Sequence, residues 1–206
     1  MVKILVLTLV FSLLGSIPFF GTSPTILAFQ SFFAMLVFPF LIIRFVLKDN
    51  PRHFGWRMPE DKKRAVFLSL SVILVFLPFV FLFSTLESFG GFYGTSASFF
   101  DFVFLSVVLS AIYYVSEEFL FRGFLFWGLF SKIGRHSFWV SSLVFALLHF
   151  SKPILEIPFA FFAGLLMSYL SFKTKSFLPS AAAHFATALI LNAIFFFSGA
   201  SGQPYF

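Results

Sequence analysis

The sequence predicts an all-α fold, a polytopic integral membrane helical bundle of about seven transmembrane helices, with 1–206 forming a single membrane domain. Three observations lead there. Of 206 residues, 60% are hydrophobic and only 11% charged, less than half the charge of a typical soluble domain, about 25%. Seven apolar stretches can be read, 1–20, 25–47, 65–86, 99–130, 137–151, 154–172 and 178–199, where a span needs about 20 residues. The Lys and Arg residues then fall into alternate connections. The same composition excludes disorder, which needs high charge and few aromatics. With no cysteine, disulfides, iron–sulfur clusters and thiolate zinc sites are excluded together.

The elements follow in order. In the first stretch Lys3 precedes Ile4–Leu14, then Gly15 and Ser16, a pattern shared with signal peptides. No small-x-small cleavage site follows, so it is read as a span. The second stretch ends in a basic connection with Arg44, Lys48, Arg52, Arg57, Lys62, Lys63 and Arg64. Pro51, Gly55 and Pro59 punctuate it as an ordered loop, with Phe54 and Trp56 placed to dip into the interface. Lys132 and Arg135, then Lys173 and Lys175, lie in the connections two and four spans later, and Lys3 begins the chain. Twelve of the 14 basic residues thus fall on one side, Lys152 alone falls on the other, and Arg122 lies within a span. The positive-inside rule puts the amino terminus in the cytoplasm and the carboxy terminus outside. The net charge of +6 is topological. It forms no basic stripe on a solvated domain, so no nucleic-acid partner is expected. The expected surroundings are the membrane lipid bilayer. The 39 phenylalanines are read as lipid-facing and core bulk.

A few ionisable residues sit where apolar ones belong. Glu117, Glu118 and Arg122 lie within the fourth stretch, His149 in the fifth and His184 in the seventh. A charged residue at the centre of a span costs about 2.5–3.5 kcal/mol even on lenient scales. These three must pair, or face a protein-lined wet cavity. Glu118 and Arg122 are four apart, on one helix face and in the favourable order. They extend a polar ladder through Ser106, Ser110 and Tyr114. Glu117 lies about 100° round from Glu118, so Arg122 cannot serve both carboxylates equally. One is committed to the ion pair and the other is left for something else. A spare carboxyl with a like-charged neighbour in a dry setting suits general acid–base chemistry. A structural Glu–Arg pair that only fixes helix packing is the plainer reading, and two intramembrane histidines on separate spans weigh against it. Counted at 1.5 Å per residue from the cytoplasmic ends, Glu117 lies roughly 20 Å deep, His149 roughly 18 Å and His184 roughly 9 Å. These depths let the three side chains converge. Ala181–Ala183 before His184, and the face Ala160, Gly164 and Ser168, allow helices to approach closely.

Glu117-Glu118-Phe-Leu-Phe-Arg122 fits EExxxR, Phe145-Ala-Leu-Leu-His149 fits FxxxH, and His184 opens a third helical motif in the expected order. This set resembles the CAAX protease and bacteriocin-processing (CPBP/Abi) family of polytopic intramembrane endopeptidases, over 99–199, the segment expected to be the catalytic core. The resemblance implies that Glu117 is the general base, that Glu118 is held by Arg122, that His149 positions or activates the water, and that His184 faces the developing oxyanion. The family normally has Asn or Asp four residues after the third-motif histidine, and here that position is Ala188. Asn192, one turn further, is the substitute candidate. The resemblance allows a metalloprotease, with Zn2+ on Glu117, His149 and His184 as acceptable donor types, or a glutamate protease without an obligate metal. The lack of a compact HExxH inclines toward the second. The expected protein is a prokaryotic inner (plasma) membrane endopeptidase acting on a membrane-associated protein or peptide substrate. The alternative is a catalytically silent binding, immunity or scaffold protein of the same fold, and a transporter with a proton-relay carboxylate pair is a third class.

Overall fold

The computed structural model describes residues 1–21, 23–93 and 98–199. The expected external carboxy terminus concerns 200–206, outside the described residues. Among the described residues the chain is helical throughout and has no strand. Five helices are long and apolar enough to cross a bilayer: α2 (Pro24–Val46), α3 (Lys62–Ser84), α5 (Phe99–Ile133), α7 (Glu156–Thr174) and α8 (Leu178–Ser198). Two shorter apolar helices, α1 (Val2–Ser16) and α6 (His136–Leu147), complete the seven. A further short helix, α4 (Glu87–Tyr93), follows α3.

α5 is the hub. Its run Phe119–Phe126 is buried without exception, and it packs with Ile4 and Phe11 of α1, Ala34 and Met35 of α2, Phe145 and Ala146 of α6 and Ala160 of α7. A second cluster joins α3, α7 and α8 through Val72, Phe76, Ala163, Met167 and Ala183. Other phenylalanines face outward, and Phe67, Phe81 and Phe162 are largely exposed to the surroundings. In a bilayer those surroundings are lipid, so an exposed Phe there carries no penalty.

Between helices in lipid, close approach and hydrogen bonds replace the hydrophobic drive. The small face read in the sequence does this. A Cβ on Gly164 would lie 3.0 Å from the Cα of Ser142, so α6 and α7 meet almost backbone to backbone. Hydroxyls bridge the helices elsewhere. Ser180 donates to the Met167 carbonyl at 2.8 Å, Ser171 to the Arg122 carbonyl at 3.3 Å, and Ser31 to the Gly15 carbonyl at 2.8 Å. Gln30 Nε2 donates to the carbonyls of Leu14 and Ile17, closing the end of α1.

The basic loop is ordered, as its punctuation predicts. Pro51–Phe54 forms a single 3-10 turn, capped by Asn50 and ended by Gly55 at φ 76°, where a side chain would be strained. Phe54 enters the core, and Trp56 packs edge-on against Phe119 at 4.9 Å. The fifth stretch differs from its sequence reading. The helix ends at Leu147 rather than 151, and His149 lies in the turn that follows. Helical bonding is left there, the His149 N–H turning to the Ala146 carbonyl at 3.0 Å, and Pro153 keeps the residue before it from resuming the helix.

Candidate active site

α5 supplies three of the expected groups. Glu118 and Arg122 are both buried, with Oε1 and Nη1 3.1 Å apart. The i,i+4 pairing survives although the helix widens to π-type turns over Phe119–Leu125, a local irregularity frequent at functional sites. The Arg122 guanidinium also lies 4.0 Å from the centroid of the Phe145 ring. A cation over an aromatic face is attracted by the ring quadrupole, most strongly when desolvated.

Phe145 thereby joins two motifs. Its ring faces Arg122 on one side and meets the rings of His149 at 4.5 Å and His184 at 6.1 Å. Its carbonyl is 2.8 Å from His149 Nδ1. A carbonyl only accepts, so Nδ1 carries the hydrogen and Nε2 is the available nitrogen. The phenylalanine of FxxxH therefore sets both the place and the tautomer of the histidine.

α8 brings His184 onto the glutamates. Its Nδ1 is 2.9 Å from Glu118 Oε1 and 3.6 Å from Glu117 Oε2, with the Tyr114 ring 4.4 Å away. Glu117 Oε1 accepts from the Tyr113 hydroxyl at 3.2 Å. Glu117 Oε2 is buried and makes no hydrogen bond among the described residues. The division of labour read from helical geometry is present: Arg122 holds Glu118, and Glu117 is left beside a histidine.

The remaining candidates line one cavity. His149, His184, Ala188 and Asn192 border a hollow of about 80 Å³ between α3, α4, α5, α6, α7 and α8, room for a few water molecules. Asn192 therefore shares a wall with His184, and Ala188 presents only a methyl group there.

The cavity also holds groups that the motifs did not reveal. Glu156 begins α7, and Tyr93 of α4 donates to its two oxygens, each at 2.7 Å. Lys152 Nζ is 3.3 Å from Glu156 Oε1, and His149 Nε2 is 3.8 Å from the same oxygen. The sequence signal existed. Lys152 is the single exception in the charge alternation, and Glu156 lies four residues after it.

Three donor atoms of Glu117, Glu118 and His184 lie within 4.8 Å of one another, a set that fits a small divalent cation by donor type. His149 is not in that group; its free nitrogen turns to Glu156.

Residues 96–190 match the family model described as type II CAAX prenyl endopeptidase Rce1-like, and comparison with curated proteins and with solved structures gives no match. The matched segment runs from the start of α5 through His184 and stops before Asn192. The molecule is thus an integral membrane helical protein whose site-bearing region is similar to the CAAX prenyl endopeptidases. Over that region the match agrees with the CPBP resemblance carried by EExxxR, FxxxH and the later histidine.

Proposed function

We propose that the protein is an intramembrane endopeptidase that hydrolyses a peptide bond of a membrane-associated protein or peptide, with 99–199 as its catalytic core. The observation that carries this reading is the buried cluster of Glu117, Glu118, Arg122 and His184 beside a small water-sized cavity. In this reading Glu117 takes a proton from a water, and the resulting hydroxide adds to the scissile carbonyl. His149, its Nδ1–H committed to Phe145, uses Nε2 to hold that water. His184, its Nδ1 committed to Glu118, offers Nε2–H to the oxyanion, with Asn192 as a second donor. The proton on Glu117 then passes to the leaving amine.

The lack of a compact HExxH favours the glutamate form. A divalent cation would be held by Glu117, Glu118 and His184. When bound there, such a cation would supply Lewis acidity to a water or carbonyl.

The silent-protein reading is favoured by one observation, the methyl group of Ala188 on the cavity wall. Both readings are tested on purified protein in liposomes, with internally quenched peptides anchored by a farnesylated cysteine or by an amphipathic helix. Cleavage by the wild type that Glu117→Gln abolishes supports the protease. Cleavage of none of the peptides favours the silent protein, and equal cleavage by the variant removes Glu117 from the reaction. Activity that survives exhaustive chelation assigns the glutamate form, and activity lost and then restored by Zn2+ assigns the metal form.

A further inference from the structure

We propose that a basic hollow at one end of the bundle binds the phosphodiester headgroup of an anionic phospholipid. The hollow has a volume of about 550 Å³, and Arg52, Arg57, Arg64, Lys173 and Lys175 ring it above a floor of Trp127 and Phe172. No carboxylate lines it. Nearby acids are occupied or turned away. Asp49 meets His53 at 2.8 Å, Asp61 caps the Arg64 backbone N–H, and the well-exposed Glu60 reaches only Arg57 at 3.7 Å. Five cations converge with one exposed carboxylate, Glu60, against them, and an anion among them removes the remaining repulsion.

The rim is preformed. Arg57 Nε donates to the Lys175 carbonyl at 2.9 Å, the Phe177 N–H donates to the Gly55 carbonyl at 3.3 Å, and the Ser176 hydroxyl donates to the Arg57 carbonyl. These bonds join the α2–α3 loop to the α7–α8 turn, two segments far apart in sequence, so little ordering is left for the ligand to impose.

The floor selects a lipid over a soluble anion. Trp127 and Phe172 are near-parallel with centroids 6.3 Å apart. Phe130 and Phe138 follow at 5.3 and 5.6 Å from Phe172. All four rings are partly exposed, forming an apolar strip that leads from the charged rim along α5, α6 and α7. A phosphate above and an apolar tail below match an amphiphile, and basic pockets between membrane helices are suited to such headgroups.

The test needs no proteolysis, so its outcome is independent of the function proposed above. The full-length protein in neutral detergent is titrated with phosphatidylglycerol brominated on its acyl chains, and separately with the matching phosphatidylcholine, reading tryptophan quenching. Phosphatidylglycerol is expected to quench at roughly tenfold lower concentration or better, since each basic side chain contributes on the order of fivefold. The variant Arg52→Gln/Arg64→Gln/Lys173→Gln/Lys175→Gln changes only exposed side chains and should erase that preference. Trp127→Phe should remove the phosphatidylglycerol-specific part of the quenching, since the more exposed Trp139 and Trp56 report lipid contact common to both lipids. Equal quenching by the two lipids overturns the proposal, as does a preference retained in the quadruple variant or in Trp127→Phe. Displacement of the lipid by millimolar inorganic phosphate would assign the hollow to a soluble anion and also overturn it.

Discussion

At the residue scale, Glu117 differs from Glu118 by its partners. Glu118 is held by Arg122 at 3.1 Å and His184 at 2.9 Å, so its charge is already spoken for. Glu117 has a hydroxyl on one oxygen and a histidine 3.6 Å from the other. Glu117→Gln keeps size and helix position but cannot take a proton, and peptide cleavage should fall roughly 10²–10⁴-fold with normal accumulation of the protein. His149→Ala should be comparably severe and Asn192→Ala milder; kinetics on the three purified variants would rank them. Arg122→Leu acts differently. It strands a buried carboxylate, at a cost of about 3–5 kcal/mol, and should lower the thermal midpoint and the amount of protein in the membrane. Normal accumulation and midpoint would sink the pairing argument. The Lys152–Glu156 pair can be separated from these by a cycle. Glu156→Gln leaves Lys152 without its carboxylate and weakens the Tyr93 bond, which should destabilise by about 1–3 kcal/mol. Lys152→Gln/Glu156→Gln should recover part of that loss. Purely additive losses in a thermal-unfolding cycle would show that the pair is not coupled.

At the element scale, the α6–α7 contact explains what was legible in the sequence and what was not. The face Ala160, Gly164 and Ser168 follows from helical spacing, and Gly164 does lie against the Ser142 backbone. Gly164→Leu should therefore push the helices apart, costing about 1–3 kcal/mol or more and loosening the turn that carries His149. Unchanged thermal stability and proteolytic resistance would show that the contact is not tight. The EExxxR pairing was legible because it is local, set by positions four apart on one helix. The end of α6 was misread because apolarity continues past Leu147, and hydropathy does not mark where helical bonding gives way to turns. Irregular backbone at membrane depth is tolerated where it lines a protein cavity, and this turn does so through His149 and Lys152. Glu156 and Tyr93 were not legible at all. Their link joins α7 to the short helix α4 across 63 positions, and no periodicity encodes a contact between separate elements.

At the scale of the whole molecule, the basic loops that sequence alone assigned to one side do meet in space. Arg52, Arg57 and Arg64 share a hollow with Lys173 and Lys175, although 121 positions separate Arg52 from Lys173. Lys152, the exception to the alternation, is neutralised by Glu156 at 3.3 Å. Positive charge is retained on the cytoplasmic side during insertion, so the hollow and the amino terminus should face the cytoplasm and the carboxy terminus the exterior. A phosphatase that is active only outside, fused after residue 206, should then be active, and a fluorescent protein that matures only inside should be dark at the same position. Inserted within the loop between α2 and α3, the two reporters should give the reverse result. A bright cytoplasmic reporter after residue 206 would mean an even number of crossings. α1 or α6 would then enter the bilayer only part way, as their lengths of roughly 22 and 18 Å allow.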